Sequence, residues 1–397
     1  MADMSDKAVA AKFLKRPLVQ AAFDLAEKAG GEGRLVGGCV RDWLLGRPIG
    51  DLDMAVSIPI TRFCEVAKHQ NYRIIETGID HGSVTMMIGQ EALEITQTRS
   101  DLQTDGRHAV IGFAPSFEED AKRRDFTINA LYLDRHGTWY DPVGGKQDLH
   151  ARIIRFIGKP DDRITEDYLR ILRFYRFLAQ IDDLQPDATA LAAAANHVAG
   201  LSGLSGERVL AEVIKLFAAN SWQKSAHLLT EAGIDHTLFH LRGYDVQTVP
   251  DGLQEWQSRF AYYLGRSGAE DKSPPLPLSR ADQKKISYLR ASISDQDWAL
   301  LSSEKWQEFA YFEPRDLAVR CLVQARYHDA ALSQDRQTDL ANFVPPPCPV
   351  TGHDLRQAGI PQGPKLGSML YQAKLAFVQS EYQLDRTALL ALVGDVS

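Results

Sequence analysis

An α+β domain built on a mixed β-sheet, followed by a long all-α body, is the architecture this sequence predicts. Three observations carry that expectation. Between residues 34 and 140, short apolar runs alternate with Gly-rich turns, which is the pattern of strands. Beyond about residue 160, strand signals nearly vanish and apolar residues recur at helical spacing. The chain has 397 residues, more than one core normally supports, so two to four domains are expected.

The elements follow in order. Residues 7–30 are expected to form a helix, because Leu18, Ala21, Ala22, Leu25 and Ala26 make one apolar stripe that Gly30-Gly31 stops. Strands are expected at Arg34–Val36, Leu52–Val56, Ser83–Ile88 and Ala92–Thr96, with a helix near 60–69. Ala130–Leu133 and Thr138–Tyr140 flank His136-Gly137 as a hairpin, and the mixed domain ends near Asp141. Leu169–Ala179, Asp187–Ala199, Gly206–Ala219 and Trp222–Ala232 all favour helix. Ser267–Ser279 reads as a proline-bearing loop, and Val344–Pro349, with four prolines, as a stiff connector before a last unit.

Composition narrows the class. An apolar fraction of 44% and a charged fraction of 24% exclude a disordered tail, a collagen and a coiled-coil rod. No apolar run approaches the roughly 18 residues of a membrane span. The first residues, Met-Ala-Asp-Met-Ser-Asp, carry acids where an export signal is basic, so a cytoplasmic protein is expected. Cys39, Cys64, Cys321 and Cys348 are far apart, which argues against a disulfide framework or a zinc site. The net charge of −7 argues against a broad nucleic-acid-coating surface. Residues 121–176 break the trend, with 12 Lys/Arg against 8 Asp/Glu.

The densest chemical signal is Leu35-Val-Gly37-Gly38-Cys-Val-Arg41-Asp42, followed by Asp51-Leu-Asp53. A strand running into Gly37-Gly38 lets backbone N–H groups approach a phosphate, with Arg41 beside them to pair with the same anion. Asp51 and Asp53 flank one residue of an expected strand, so both carboxylates share a face. Two such charges repel unless a cation sits between them. Mg²⁺ accepts carboxylate, water and phosphate oxygens, which suits a nucleotide-dependent reaction. An isolated Asp-x-Asp is more often a solvated strand face; the neighbouring Gly-Gly is what favours the metal. Glu94, on a nearby strand, is either a third functional carboxylate or a surface residue.

Two further stretches point the same way. Lys122-Arg123-Arg124-Asp125 runs towards an apolar strand through Asn129, and Asp125 and Asn129 suit ribose hydroxyls. In Glu166-Asp167-Tyr-Leu-Arg170-Ile-Leu-Arg173-Phe-Tyr-Arg176-Phe177, a helix puts Asp167 and Arg170 side by side, with Arg173 and Arg176 continuing that face. An Asp–Arg pair on a helix contributes only about 0.2–0.5 kcal/mol, too little to account for three arginines in register. Cytosine and adenine both present an amino donor beside a ring-nitrogen acceptor; guanine and uracil present the reverse. A carboxylate acceptor beside a guanidinium donor therefore matches C and A.

Five motifs in this order, across residues 34–178, give the chain its resemblance to the class II CCA-adding tRNA nucleotidyltransferases of the poly(A) polymerase head-domain superfamily. They are Gly37-Gly38-Cys-Val-Arg41-Asp42 with Asp51-x-Asp53, then Arg123-Arg124-Asp125, then Asp141-Pro-Val-Gly-Gly-Lys-Gln-Asp148-Leu149. Glu166-Asp167-x-x-Arg170 and Arg173-x-x-Arg176-Phe177 complete the set. Thr351-Gly-His-Asp354-Leu355, with Gly359 and Gly363-Pro364-x-x-Gly367, is similar to the tail of that family. Residues 99–113 resemble its flexible loop for the final A addition, with Arg107 at a basic position. Residues 235–340 carry no recognisable motif. His328-Asp329 and His353-Asp354 lack partners at metal-binding spacing and read as ordinary helix and turn residues.

The resemblance implies an α+β nucleotidyltransferase head (residues 1–141), a base-recognising neck (142–200), a helical body (201–343) and a tRNA-binding helical tail (344–397). It implies addition of C, C and A to a tRNA 3′ end from CTP and ATP, with release of pyrophosphate. Asp51 and Asp53 would hold Mg²⁺, with Glu94 beside them. Gly37, Gly38, Arg41, Arg124, Asp125, Asp167, Arg170, Arg173 and Arg176 would bind nucleotide. A poly(A) polymerase or a partial CC- or A-adding enzyme shares the same head, although residues 380–397 lack the strongly basic tail that a polymerase would favour. An RNA-binding module with an inactive head is a different class, against which the intact Asp51, Asp53, Asp167 and Arg170 argue.

Overall fold

The structure is a computed structural model that describes residues 12–104, 109–113, 116–241, 252–265, 276–313, 316–328 and 332–394. It forms two compact units divided between residues 244 and 245.

The first unit opens with the strands β1 (Gly33–Val36), β2 (Leu52–Val56), β3 (Arg73–Gly78), β4 (Ser83–Ile88), β5 (Glu91–Gln97), β6 (Arg99–Thr104), β7 (Ala109–Phe113), β8 (Tyr132–Leu133) and β9 (Trp139–Tyr140). Seven of them make one mixed sheet in the order β3-β4-β5-β2-β1-β8-β9. Only β2 and β5 run parallel in it, and their register sets Asp53 opposite Glu94. The helix Pro17–Lys28 buries the expected stripe of Leu18, Ala21, Ala22, Leu25 and Ala26, and it packs on the sheet beside the helix Ile60–His69. Full burial of a leucine contributes about 1.5–3 kcal/mol, so this stripe is a principal anchor of the sheet. Ala55 belongs to a cluster with Val36, Phe117, Ala121 and Tyr132. Strand alternation therefore sets Asp53 on the same face as Ala55, away from Leu52 and Met54.

Several expectations need correction. The expected helix over 7–30 is interrupted: residues 12–14 are helical, Lys15 and Arg16 turn, and a new helix starts at Pro17, since proline's missing N–H suits a first helical position; residues 1–11 lie outside the described residues. β3 was not legible, because an edge strand with Arg73 and Glu76 carries the charges that edges tolerate and not a clear apolar alternation. Within the stretch expected to act as a flexible loop, β6 and β7 pair antiparallel; residues 105–108, Arg107 among them, lie outside the described residues. The basic run at 122–124 ends a helix, Phe117–Arg123, and does not lead directly into a strand. Glu118, Glu119 and Asp120 in its first turn and Lys122 and Arg123 in its last are the charge order a helix dipole favours. A 3₁₀ turn, Thr127–Asn129, then precedes β8.

Beyond the head, the helices Leu169–Gln180, Gly206–Ala218 and Trp222–Glu231 match the expected spans to within a residue or two. The first packs against the other two. Its aromatic face also meets the head-derived segment: Phe126 lies 5.5 Å from Phe177 and 4.8 Å from Phe156, which stacks on Phe174 at 5.8 Å. Such ring pairs contribute about 0.5–1.5 kcal/mol each beyond their buried area. They fix this helix against Asp125. One detail differs: the helix starts at Leu169, and Asp167 is extended (φ −156°, ψ 103°). Its Oδ1 accepts the Leu169 N–H at 3.1 Å, a local bond that competes with helix continuation.

In the second unit the described elements are helices. Trp298, Leu301, Leu317 and Cys321 belong to one core cluster. Val350, Leu355, Met369, Phe377 and Leu389 belong to another, with Tyr311 against it. Residues 344–349 are irregular, as the prolines require. Thr351 is the N-cap of its helix, its hydroxyl accepting the Asp354 N–H while Asp354 accepts the Thr351 N–H in return and Arg386 at 2.7 Å; His353 contacts Gln357. The expected loop at 267–279 falls mostly outside the described residues.

Candidate active site

β1 delivers the chain into Gly37, whose φ of 79° and ψ of −132° suit glycine alone. A methyl group there would stand 3.8 Å from an Arg124 guanidinium nitrogen and 3.9 Å from Asp53 Oδ2. The glycine thus lies between a cation and a carboxylate that belong to distant parts of the sequence. A cavity of about 530 Å³ opens at this point, within the range of small-ligand sites. Gly37, Gly38, Arg41, Asp53, Arg124, Asp125, Asp167, Arg170, Arg173 and Arg176 all line it. Seven arginines and three aspartates make up its charged lining, an excess of positive charge that suits a polyphosphate.

Asp51 and Glu94 are not part of that lining. Asp51 is exposed, just ahead of β2, and Glu94 is exposed on β5 opposite Asp53. Burial pushes the Asp53 carboxyl up to about 6, and Glu94 and Asp51 add to the rise while Arg124 opposes it. This carboxylate cluster is short of positive charge. Among the described residues no group of three or more His, Cys, Asp or Glu side chains is placed to hold a metal.

One hydrogen-bond chain runs across the cavity floor. Arg41 pairs with Asp42 through two bonds of 3.0 and 3.1 Å and donates to Asn129 Oδ1 at 2.6 Å. Asn129 donates to Asp125 Oδ1, which also takes the Phe126 N–H. Asp125 Oδ2 accepts Arg173 Nε at 2.7 Å. Burial alone would raise the Asp125 pKa, but Arg173 and the Asn129 and Phe126 bonds outweigh it and hold the carboxyl below its ordinary range. Arg176 pairs with Glu212 at 2.6 Å, and burial lowers its pKa despite that partner. The Phe177 ring carries Arg41 and Arg176 at 5.0 and 4.2 Å from its centre. Both oxygens of Asp125 are thus engaged, and the residue anchors Arg173 as well as facing the cavity.

A second network holds the Arg123–Arg124 segment. Asp120, 1% exposed, accepts both arginines at 2.9 Å and the Tyr132 hydroxyl at 2.8 Å. Burial opposes the Arg124 charge, yet Asp120 and Tyr132 raise its pKa. Asp167 and Arg170 do not pair with each other. Asp167 Oδ2 accepts Arg208 at 2.7 Å, and Arg170 Nη1 donates to Glu166 at 2.6 Å. The Nη2 of Arg170 makes a long 3.4 Å approach to the Arg123 carbonyl.

Sequence inspection missed Asp120, Arg163, Arg208 and Glu212. Asp120 was within reach of it, since it precedes Arg123 and Arg124 by three and four residues on one helix. Arg208 and Glu212 lie on the helix Gly206–Ala218, more than thirty residues downstream, and no spacing signals their return.

Comparison with known proteins places this geometry in context. A family model described as the poly A polymerase head domain matches residues 33–155, and one described as a probable RNA and SrmB-binding site of polymerase A matches 183–241. The mitochondrial CCA tRNA nucleotidyltransferase 1 of Homo sapiens is 32% identical over 93% of this chain and 88% of its own length. The CCA-adding enzyme of Streptococcus pyogenes serotype M2 is 32% identical over 93% of this chain and 94% of its own. Among solved structures, the Bacillus stearothermophilus CCA-adding enzyme in complex with CTP aligns with a TM-score of 0.76 and 25% identity, over 96% of this chain and 98% of that one.

Proposed function

The chain belongs to the class II CCA-adding tRNA nucleotidyltransferases, and we propose that it adds C, C and A stepwise to the 3′ end of tRNA from CTP and ATP. Pyrophosphate leaves at each addition, and no nucleic-acid template is used. The observation that carries this reading is an arginine-rich cavity in which ten of the expected site residues meet.

Phosphoryl transfer leaves a protein mainly positioning and charge stabilisation to supply. In this proposal the triphosphate rests near Gly37 and Gly38 under Arg41 and Arg124, with Arg173 and Arg176 neutralising further charge. Asp125 faces the ribose while holding Arg173 in place. Asp167 accepts from the base amino group and Arg170 donates to the ring nitrogen, each steadied from behind by Arg208 or Glu166. Such a pair excludes G and U because both would meet like with like.

The carboxylates fit Mg²⁺. Asp53 is under-compensated beside Glu94 and Asp51, the donors are hard oxygens, and Mg²⁺ commonly takes only one or two protein carboxylates beside substrate phosphate and water. Asp51 and Asp53 would hold it, where it supplies activation of the 3′-hydroxyl and neutralisation of charge on the leaving group. Glu94, opposite Asp53 on the next strand, adds a further hard oxygen donor beside them. We further propose the division into head (1–141), neck (142–200), body (201–343) and tail (344–397), with the tail serving tRNA. All four cysteines are free, which suits a reducing compartment such as the cytoplasm. No described helix is long and apolar enough to cross a membrane.

The test is incubation with tRNA lacking three, two or one of its terminal residues and each NTP singly. CTP should extend the first two substrates and ATP only the third. Extension by ATP alone into long tails would favour a poly(A) polymerase, and extension of only some substrates a partial enzyme.

A further inference from the structure

We propose that Arg163 is a positioning residue that locks base choice to the seat of the triphosphate, a role that rests on the functional reading above. Arg163 lies on the helix Pro160–Glu166, is 6% exposed, and does not line the cavity. Its Nη2 donates to the carbonyl oxygens of Arg123 and Arg124, the latter at 2.7 Å. Its Nη1 donates to Glu166 Oε2. That same oxygen accepts Arg170 Nη1 at 2.6 Å, and the Arg163 carbonyl accepts the same nitrogen at 2.7 Å.

Arg163 therefore holds both walls of the cavity. Through its guanidinium it grips the main chain from which the Arg123 and Arg124 side chains project. Through Glu166 and its own carbonyl it sets the guanidinium of Arg170. The link Arg173–Asp125 joins the same walls through side chains alone; Arg163 grips the main chain itself at Arg123 and Arg124, adding to the Asp120 pairs and the Ile157 N–H bond to the Asp125 carbonyl that hold the same segment. A planar fork with five donors can serve two carbonyls and a carboxylate together, whereas an ammonium is a point charge without that plane.

The consequence is for selectivity. A base of the wrong pattern is rejected only if its misfit at Asp167 and Arg170 displaces its phosphates from the arginines. That requires the two walls to keep a fixed separation. With Arg163 removed, the walls keep the Arg173–Asp125 pair but lose their grip on the main chain, so a mismatched nucleotide is accommodated more readily and a matched one is aligned less well. Misplacement of about 1 Å can lower a rate by about 10²-fold while leaving contacts formed.

The experiment measures single-nucleotide incorporation of CTP, ATP, UTP and GTP into tRNA by the full chain, for the wild type, Arg163→Met and Arg163→Lys. Thermal melting is recorded for each. For Arg163→Met, kcat with CTP and ATP should fall about 100-fold with KM within about threefold, and the preference for C and A over U and G should narrow about tenfold. Arg163→Lys should recover about a tenth of the wild-type kcat and little of the preference. Equal loss of affinity for all four nucleotides with the preference intact would overturn the proposal, as would a lysine variant with wild-type kcat and preference. If the methionine variant does not melt cooperatively, the lysine variant decides alone. A wild-type chain that adds neither C nor A overturns the functional reading itself; an active wild type with unaltered variants overturns only the role of Arg163.

Discussion

Replacing Gly37 by alanine separates what this residue does for the backbone from what it does for the ligand. Its φ of 79° with ψ of −132° is a region side chains rarely adopt, at a cost of about 1–3 kcal/mol. For a unit of this size that lowers Tm by about 2–4 °C per kcal/mol. The new methyl meets no protein atom closer than 3.8 Å, so no clash adds to that cost. It would, however, occupy the gap between Arg124 and Asp53, where the triphosphate is proposed to lie. Losing one charge-assisted phosphate contact costs about 1.5–3 kcal/mol, which is about 10- to 150-fold in affinity. The control is Gly89→Ala, with φ of 61° and nothing within 4 Å, in the turn between β4 and β5. The assay is KM for CTP and ATP beside a melting curve for each variant. Both variants should melt below the wild type, and only Gly37→Ala should raise KM at least tenfold. An unchanged KM in a folded Gly37→Ala chain would refute the phosphate seat.

The remaining expectations concern three other parts of the chain. Asp53→Ala should reduce addition of both C and A below about one part in a hundred, and Asp51→Ala likewise. Asp53→Ala should also melt no lower than the wild type at neutral pH, because its folded pKa of about 6 lies above the usual 3.8 and its ionisation opposes folding as pH rises between those values. A large drop in Tm would contradict the account in which burial, with Glu94 and Asp51, disfavours the charged carboxylate. Asp167→Asn should raise UTP and GTP incorporation relative to CTP and ATP, while Arg170→Ala should depress both correct nucleotides together. The fold should survive the first change, since the half-exposed Asp167–Arg208 pair is worth only about 0.2–1 kcal/mol; unaltered preference in both variants would mean this segment does not read the base. A chain cut near Val344 removes Val350, Leu355, Met369 and Phe377 from around Tyr311, so the second unit should lose cooperative melting. CTP binding, measured by calorimetry, should persist, and its loss would show that the tail supports the site.

The sequence by itself determined the architecture and most of the site's membership. Alternating runs such as Leu52–Val56 and Ser83–Ile88 became strands with the expected bounds, because burial of one face specifies a period of two. The Leu169–Gln180 helix was equally legible from its apolar face. Gly37, Asp53, Arg124, Asp125, Asp167 and Arg170 could be named because phosphate, sugar and base chemistry each demand particular donors and acceptors. Their partners could not. Asp167 and Arg170 stand three apart, as a helical pair would, yet Asp167 accepts the Leu169 N–H and turns to Arg208, while Arg170 turns to Glu166. Spacing describes which side chains share a face only where the backbone is regular, and here it breaks at Asp167. Arg163 gripping the Arg123 and Arg124 carbonyls, and Glu212 receiving Arg176, are contacts across forty and thirty-six residues. They depend on the packing of Phe126, Phe156, Phe174 and Phe177, which brings the helix and the head segment together. Residue types follow from the chemistry to be done, and a sequence displays them directly. The pairing of those residues follows from the folded core, which arises only when distant apolar faces bury one another.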